Sequence, residues 1–185
     1  MSSLQSPQPT LSRFDDSNKL LNLSAFLSPT KIPFNLLVRG SSSRNRWTSQ
    51  GDIERVEASS VGLPSDLCSL LSNQPKLVST IDSLLYAEVD SSKQFYQVEQ
   101  QVASLARQRH HPDDQTRWKN WALIVTYRSI SWKYLEPVYF DPDAVFPHLK
   151  HLLESCPGDF PGLSNTTRID LGLTLVEACR FPGMA

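Results

Sequence analysis

Apolar positions recur at helical spacing along most of the chain after residue 51. Leu63, Leu67, Leu70 and Leu71 form one such set, with Pro64 at its start. Leu77, Val78, Ile81, Leu84 and Leu85 form an amphipathic stripe after Pro75. Asp90, Ser91 and Ser92 offer capping oxygens ahead of Phe95, Val98, Val102, Leu105 and Ala106, and Arg107 and Arg109 suit that helix's end before Pro112. Asp141-Pro142 reads as a helix start, with Pro147 opening a second piece that turns Leu149, Leu152 and Leu153 inward. The last helix is expected from Ser164 to Arg180. Ile169, Leu173 and Val176 share one face there, and Leu171, Leu175 and Cys179 lie beside it. Gly51 to Ala58 is read as a short charged helix.

The strongest signal lies between Asp113 and Phe146, which holds Trp118, Trp121, Tyr127, Trp132, Tyr134, Tyr139, Phe140 and Phe146. Aromatic side chains bury the most apolar area, so the core is expected here. On a helical wheel Trp118, Trp121, Ala122, Val125 and Trp132 share one face, and Leu123, Tyr127, Ile130 and Tyr134 make a second. A helix apolar on two sides is sandwiched between neighbours. The predicted fold is mainly α: a small helical bundle around a central aromatic-rich helix at about 113–135, behind a disordered N-terminal arm. A β-hairpin over 121–140 is the competing reading, since Leu-Ile-Val-Thr-Tyr at 123–127 is strand-rich. Arg128 falls on the Trp-bearing face, where a buried guanidinium needs a partner; stacking on a tryptophan is the expectation, an anion or partner contact the alternative.

Composition divides the chain into an arm at 1–50 and a helical domain at 51–185. The arm is rich in Ser, Pro and Gln and carries six Lys/Arg against two Asp, whereas the remainder carries twelve against seventeen. Such a segment reads as disordered. Its apolar islands, with Leu20, Leu23 and Phe26 in one and Phe34 and Leu36 in the other, are candidate contacts that order on a partner or lie back on the core. Arg39, Arg44 and Arg46 beside Trp47 make a candidate nucleic-acid contact, because a basic cluster can hold a backbone while an aromatic stacks a base. A net charge of −1 excludes a globally basic binder. Cys68, Cys156 and Cys179 are odd in number and far apart, which points to free thiols in the cytoplasm or nucleus. The arm leaves organelle import open, although Asp15 and Asp16 fit it poorly. The longest apolar run, Trp121 to Val125, is far short of the ~20 residues needed for a membrane span.

No phosphate loop, nucleophile elbow or zinc-protease motif is present. His148 and His151, with Cys156 behind, have metal-ligand spacing but lack a full ligand set. His110-His111 before Asp113-Asp114 reads as helix punctuation rather than an acid–base pair. No catalytic residue, metal or cofactor is therefore assigned. Leu63-Pro64-x-x-Leu67, with Leu70-Leu71 and Pro75 beyond, resembles the opening of an F-box, the helical motif that docks on the ubiquitin-ligase linker. The resemblance covers about a dozen residues and lacks the later tryptophan-containing part. It implies contact through Leu63, Pro64 and Leu67. The expected function is a non-enzymatic adaptor or accessory protein acting through protein–protein interaction, its arm ordering on a partner. Binding of RNA or DNA through the arm is the alternative, and an F-box-like adaptor a further one.

Overall fold

The computed structural model describes residues 10–90, 92, 94–136, 141–156 and 160–181. The chain is mainly helical, with eight α-helices and two small sheets among these residues. The helices are α1 (Thr10–Ser24), α2 (Phe34–Ser41), α3 (Ser65–Ser72), α4 (Gln74–Ile81), α5 (Gln100–Gln108), α6 (Pro112–Arg128), α7 (Pro142–Glu154) and α8 (Asn165–Ala178). The strands are β1 (Ile32–Pro33), β2 (Arg44–Trp47), β3 (Ile53–Val56), β4 (Ala87–Val89) and β5 (Phe95–Val98). β5 lies between β1 and β4 in an antiparallel sheet, and β2 and β3 form a separate hairpin.

Several ends are set by the predicted chemistry. The Asp141 carboxylate accepts the Asp143 N–H at 3.1 Å, and the Ser164 hydroxyl accepts the Thr167 N–H at 3.1 Å. Leu67, Leu70 and Leu71 of α3 and Leu77 and Ile81 of α4 are buried as their spacing requires. α7 runs through Pro147 without breaking, where a second piece is the expectation. α6 is helical across 121–128, so the hairpin reading does not hold there. It stops at Arg128, earlier than expected, and Trp132 and Tyr134 lie in the turn that follows. It packs against α1, α2, α7 and α8.

Two segments expected to be helical form strands. Gly51–Ala58 holds β3, and its hairpin turn has Gly51 at φ +90°, a conformation glycine adopts without strain. Thr48 Oγ1 accepts the N–H groups of Gln50 and Asp52 within that turn. Phe95–Val98 is β5 because Asp90, expected to cap a helix, instead accepts the N–H groups of Gln94 and Phe95, both at 2.9 Å, and closes the β4–β5 turn. Helix α5 begins only at Gln100.

The largest difference concerns the arm. Residues 1–9 of it lie outside the described residues, but from Thr10 onward the segment forms α1, β1, α2 and β2. Leu20, Leu23, Phe26, Phe34 and Leu36, read as contacts that order on a partner or lie back on the core, do the second: they are at most 5% exposed and belong to the core. Charges fix the same segment. Lys19 of α1 pairs with Asp66 of α3 at 2.8 Å, and Asp16 pairs with Lys76 of α4 at 2.8 Å. The boundary at 50/51 is thus bridged by packing on both sides. Gly40 lets α2 approach α6 closely: a Cβ there would lie 1.9 Å from the Val125 carbonyl oxygen.

His148 of α7 is fully buried, and its Nε2–H donates to the Lys31 carbonyl at 3.1 Å. Burial pushes its pKa down to about 4 from 6.5; the Lys31 bond opposes that shift and His151 adds to it. The folded pKa is the lower one, so the neutral ring's contribution is complete above about pH 6.5 and fades as pH falls toward 4. That window corresponds to roughly 3 kcal/mol. Urea midpoints at pH 7 and pH 4.5 are expected to differ accordingly. A His148→Leu chain is expected to lose most of the difference.

Candidate functional site

β2 alternates, so its odd and even positions face opposite sides. Arg44 and Arg46 point inward and are 5% and 6% exposed; Asn45 is exposed and Trp47 half-buried. Both guanidinium groups reach Asp170 of α8, which is completely buried. Asp170 Oδ1 accepts from Arg44 at 3.1 Å and from Arg46. Its Oδ2 accepts the Tyr127 hydroxyl at 2.8 Å and Arg128 at 3.3 Å. The Arg44 guanidinium also stands 5.5 Å from the centre of the Tyr127 ring.

Three guanidinium groups around one buried carboxylate need further acceptors. Glu54, opposite Arg46 across the hairpin, accepts its Nε–H at 2.8 Å. Backbone carbonyls, most of them at helix ends, and the Thr174 hydroxyl supply further acceptors. Arg128 donates to Gly40, Ser42 and Val56, and Arg44 to Tyr127 and Arg128. Gly40, Ser42, Tyr127 and Arg128 sit at the C-terminal ends of α2 and α6, the negative poles of those helices. Arg128 therefore meets carbonyls and a carboxylate, where stacking on tryptophan was expected. Burial alone would raise the Asp170 pKa. Arg44, Arg128, the Tyr127 hydroxyl and Arg46 outweigh it and hold the carboxyl below its usual value. Burial, then the Asp170 charge, push the Tyr127 phenol upward. Asp170, Tyr127 and the three arginines are closed off from solvent, and Glu54 reaches the surface, so the cluster is a structural knot with one exposed end.

The knot decides how α8 is oriented. Thr167, Asp170, Thr174 and Glu177 recur at i, i+3, i+7 and i+10, and all are at most 3% exposed. Thr167 donates to the Val61 carbonyl at 2.7 Å. Thr174 accepts from Arg44 at 2.5 Å, and Glu177 accepts the Lys133 N–H at 2.8 Å. With its polar face bonded inward, α8 turns Ile169 and Val176 outward, 58% and 66% exposed. Of the two neighbouring apolar sets read from the sequence, the one with Leu171 is turned inward and the one with Ile169 and Val176 outward. The outward side continues into a groove of about 440 Å³ between Trp47, Trp132, Tyr134, Leu173, Val176 and Arg180. Tyr134 is 73% exposed, and Ile53, paired across the hairpin with Trp47, is 56% exposed.

The other sequence candidates are placed as follows. Arg39 donates to the Ser129 carbonyl and to Ser131 Oγ and pairs with Glu136, tying α2 to the turn after α6. With Arg44 and Arg46 buried, the proposed nucleic-acid cluster does not present its cations to a phosphate backbone. Leu63 and Leu67 are 2% exposed, so the F-box-like positions turn their leucines into the chain's own core and leave only Pro64 half-exposed. His111 lies 3.7 Å from Asp113 on an open surface, and His110 packs against Trp118. Among the described residues no group of three or more His, Cys, Asp or Glu is placed to hold a metal ion. Cys68, Cys156 and Cys179 are free thiols, and no helix among the described residues is long and apolar enough to cross a membrane. No family model, curated protein or solved structure matches the chain.

Proposed function

We propose that the protein is a non-enzymatic adaptor or accessory protein that acts by binding another protein, and that its contact surface is the outward face of α8 with the adjoining groove. One observation carries this reading: α8 buries Thr167, Asp170, Thr174 and Glu177 together with Leu171 and Ala178, and leaves Ile169 and Val176 in water. Soluble surfaces seldom leave adjacent large apolar side chains uncovered without a use for them, and tyrosine and tryptophan are favoured anchors at interfaces. The occupant suited to the groove is an apolar segment of a partner flanked by acidic residues. Lys133, stacked 5.9 Å over Tyr134 with no carboxylate partner among the described residues, gives it a positive border, while Arg180 at the rim is paired with Glu177 at 3.0 Å. The arm's apolar side chains are used within the fold, which moves the expected contact from the N-terminal segment to α8.

Affinity capture with Val176→Asp and Tyr134→Ala tests the reading, with Leu85→Asp as control at a position 89% exposed elsewhere. All three chains should keep their stability within about 0.5 kcal/mol. The α8-face variants are expected to lose at least tenfold in recovery of a partner that the control still captures, a loss of about 1.4 kcal/mol. Equal recovery by all three chains would remove the surface from consideration.

A further inference from the structure

A second cavity, of about 320 Å³, lies away from the α8 face, between the segment after α1, the end of β5, and helices α5, α6 and α7. Its apolar wall includes Phe26, Leu27, Ile32, Val98 and Ala103, all buried in the core. Its polar side brings one basic residue from each of three helices: Arg107 from α5, Lys119 from α6 and His151 from α7. No aspartate or glutamate lines it. We propose that this cavity binds a small organic anion, a carboxylate or phosphate head on a short apolar body.

The cations' existing bonds leave them free to act. Arg107 donates to the carbonyl of Ala25, just past α1, and Lys119 donates to the carbonyl of Ser155, just past α7, at 3.3 Å. Both contacts close helix C-termini, which explains one bond for each. A guanidinium has five N–H donors and an ammonium three. Among the described residues neither cation is paired with a carboxylate. Helix closure does not require three basic groups to converge on one cavity without an acid.

His151 is the titratable member of the three. Burial lowers its pKa first, Arg107 and Lys119 lower it further, and Glu154 opposes them; His148 is the other titratable group coupled to it. A bound anion would favour the charged imidazole, so binding should take up a proton and tighten as pH falls from 8 to 6. The apolar wall would cover the body of the ligand while the head accepts from Arg107 and Lys119.

The test is calorimetric titration of the full chain with octanoate, hexyl phosphate and neutral octanol at pH 6 and pH 8, with the His151 ring followed by NMR. Octanoate or hexyl phosphate should bind at least tenfold more tightly than octanol, more tightly at pH 6, and raise the His151 pKa. Lys119→Gln and Arg107→Gln should each weaken binding about tenfold, as expected for loss of a charge-assisted bond, with the fold checked by circular dichroism. Lys119→Gln keeps the test open should the Arg107 variant fail to fold. Absence of binding by both anions at millimolar concentration, octanol binding equally well, or unchanged affinity in a folded Lys119→Gln chain would each overturn the proposal. None of these outcomes bears on the α8 surface.

Discussion

Asp170→Asn is expected to destabilise the fold by about 3–5 kcal/mol, the cost of removing one partner from a buried ionic group. The amide keeps the size of the side chain and one acceptor oxygen, but it leaves Arg44, Arg46 and Arg128 without their shared buried charge. Urea unfolding measures the loss directly as a shift in midpoint. Combining Asp170→Asn with Arg44→Met should recover part of it, because the second change removes one uncompensated cation and its unpartnered buried Nε. The same carboxylate sets an acid limit. Its folded pKa lies below the ordinary value, so its contribution is complete above about pH 4 and is lost as pH drops through the folded value. That loss lies below the His148 window, so the two groups are expected to produce separate steps in an acid titration of stability.

Gly40→Ala is the second large effect expected. The added methyl would sit 1.9 Å from the Val125 carbonyl oxygen and 2.6 Å from its carbonyl carbon, both backbone atoms of α6. A flexible side chain could yield; two helix backbones must separate instead. The Gly40 carbonyl also accepts from Arg128 at 3.2 Å, so separation strains the knot as well. A cost of about 3 kcal/mol, at the upper end for overpacking, is expected in place of the gain that Gly→Ala brings at an open helix position. Gly172 of α8 supplies that comparison, since nothing lies within 4 Å of where its Cβ would be. Gly172→Ala should raise stability by up to about 1 kcal/mol. Thermal and urea unfolding of the two variants are therefore expected to move in opposite directions.

Local chemistry was readable from the chain and long-range chemistry was not. Helices α3, α4, α7 and α8 follow from apolar spacing and from caps such as Asp141 and Ser164, which act over two or three residues. β5 is not distinguished from a helix by its spacing, because Phe95 and Val98, three apart, fit a helix as well as the strand they occupy. β1 has only two residues, and its pairing with β5 joins Ile32 to Tyr96, which no local pattern announces. The arm's apolar islands were short and set among Ser and Pro, so their burial against distant helices left no trace in composition. The candidate surface was obscured for a related reason. An apolar stripe is ordinarily assigned to the core, and only the partners of Asp170 reveal which of the two on α8 faces outward. Alternation along β2 would have placed Arg44 and Arg46 on one side, but nothing in the sequence says that side is the interior.

The separation of Asp170 from its partners also bears on how the nascent chain matures. Arg44 leaves the ribosome 126 residues ahead of the carboxylate that neutralises it, and Arg128 leaves 42 residues ahead. Until α8 emerges, neither guanidinium can be dehydrated at low cost, so the earlier helices have no reason to close over them. Consolidation of the knot then waits on α8, which closes contacts between residues far apart in the chain.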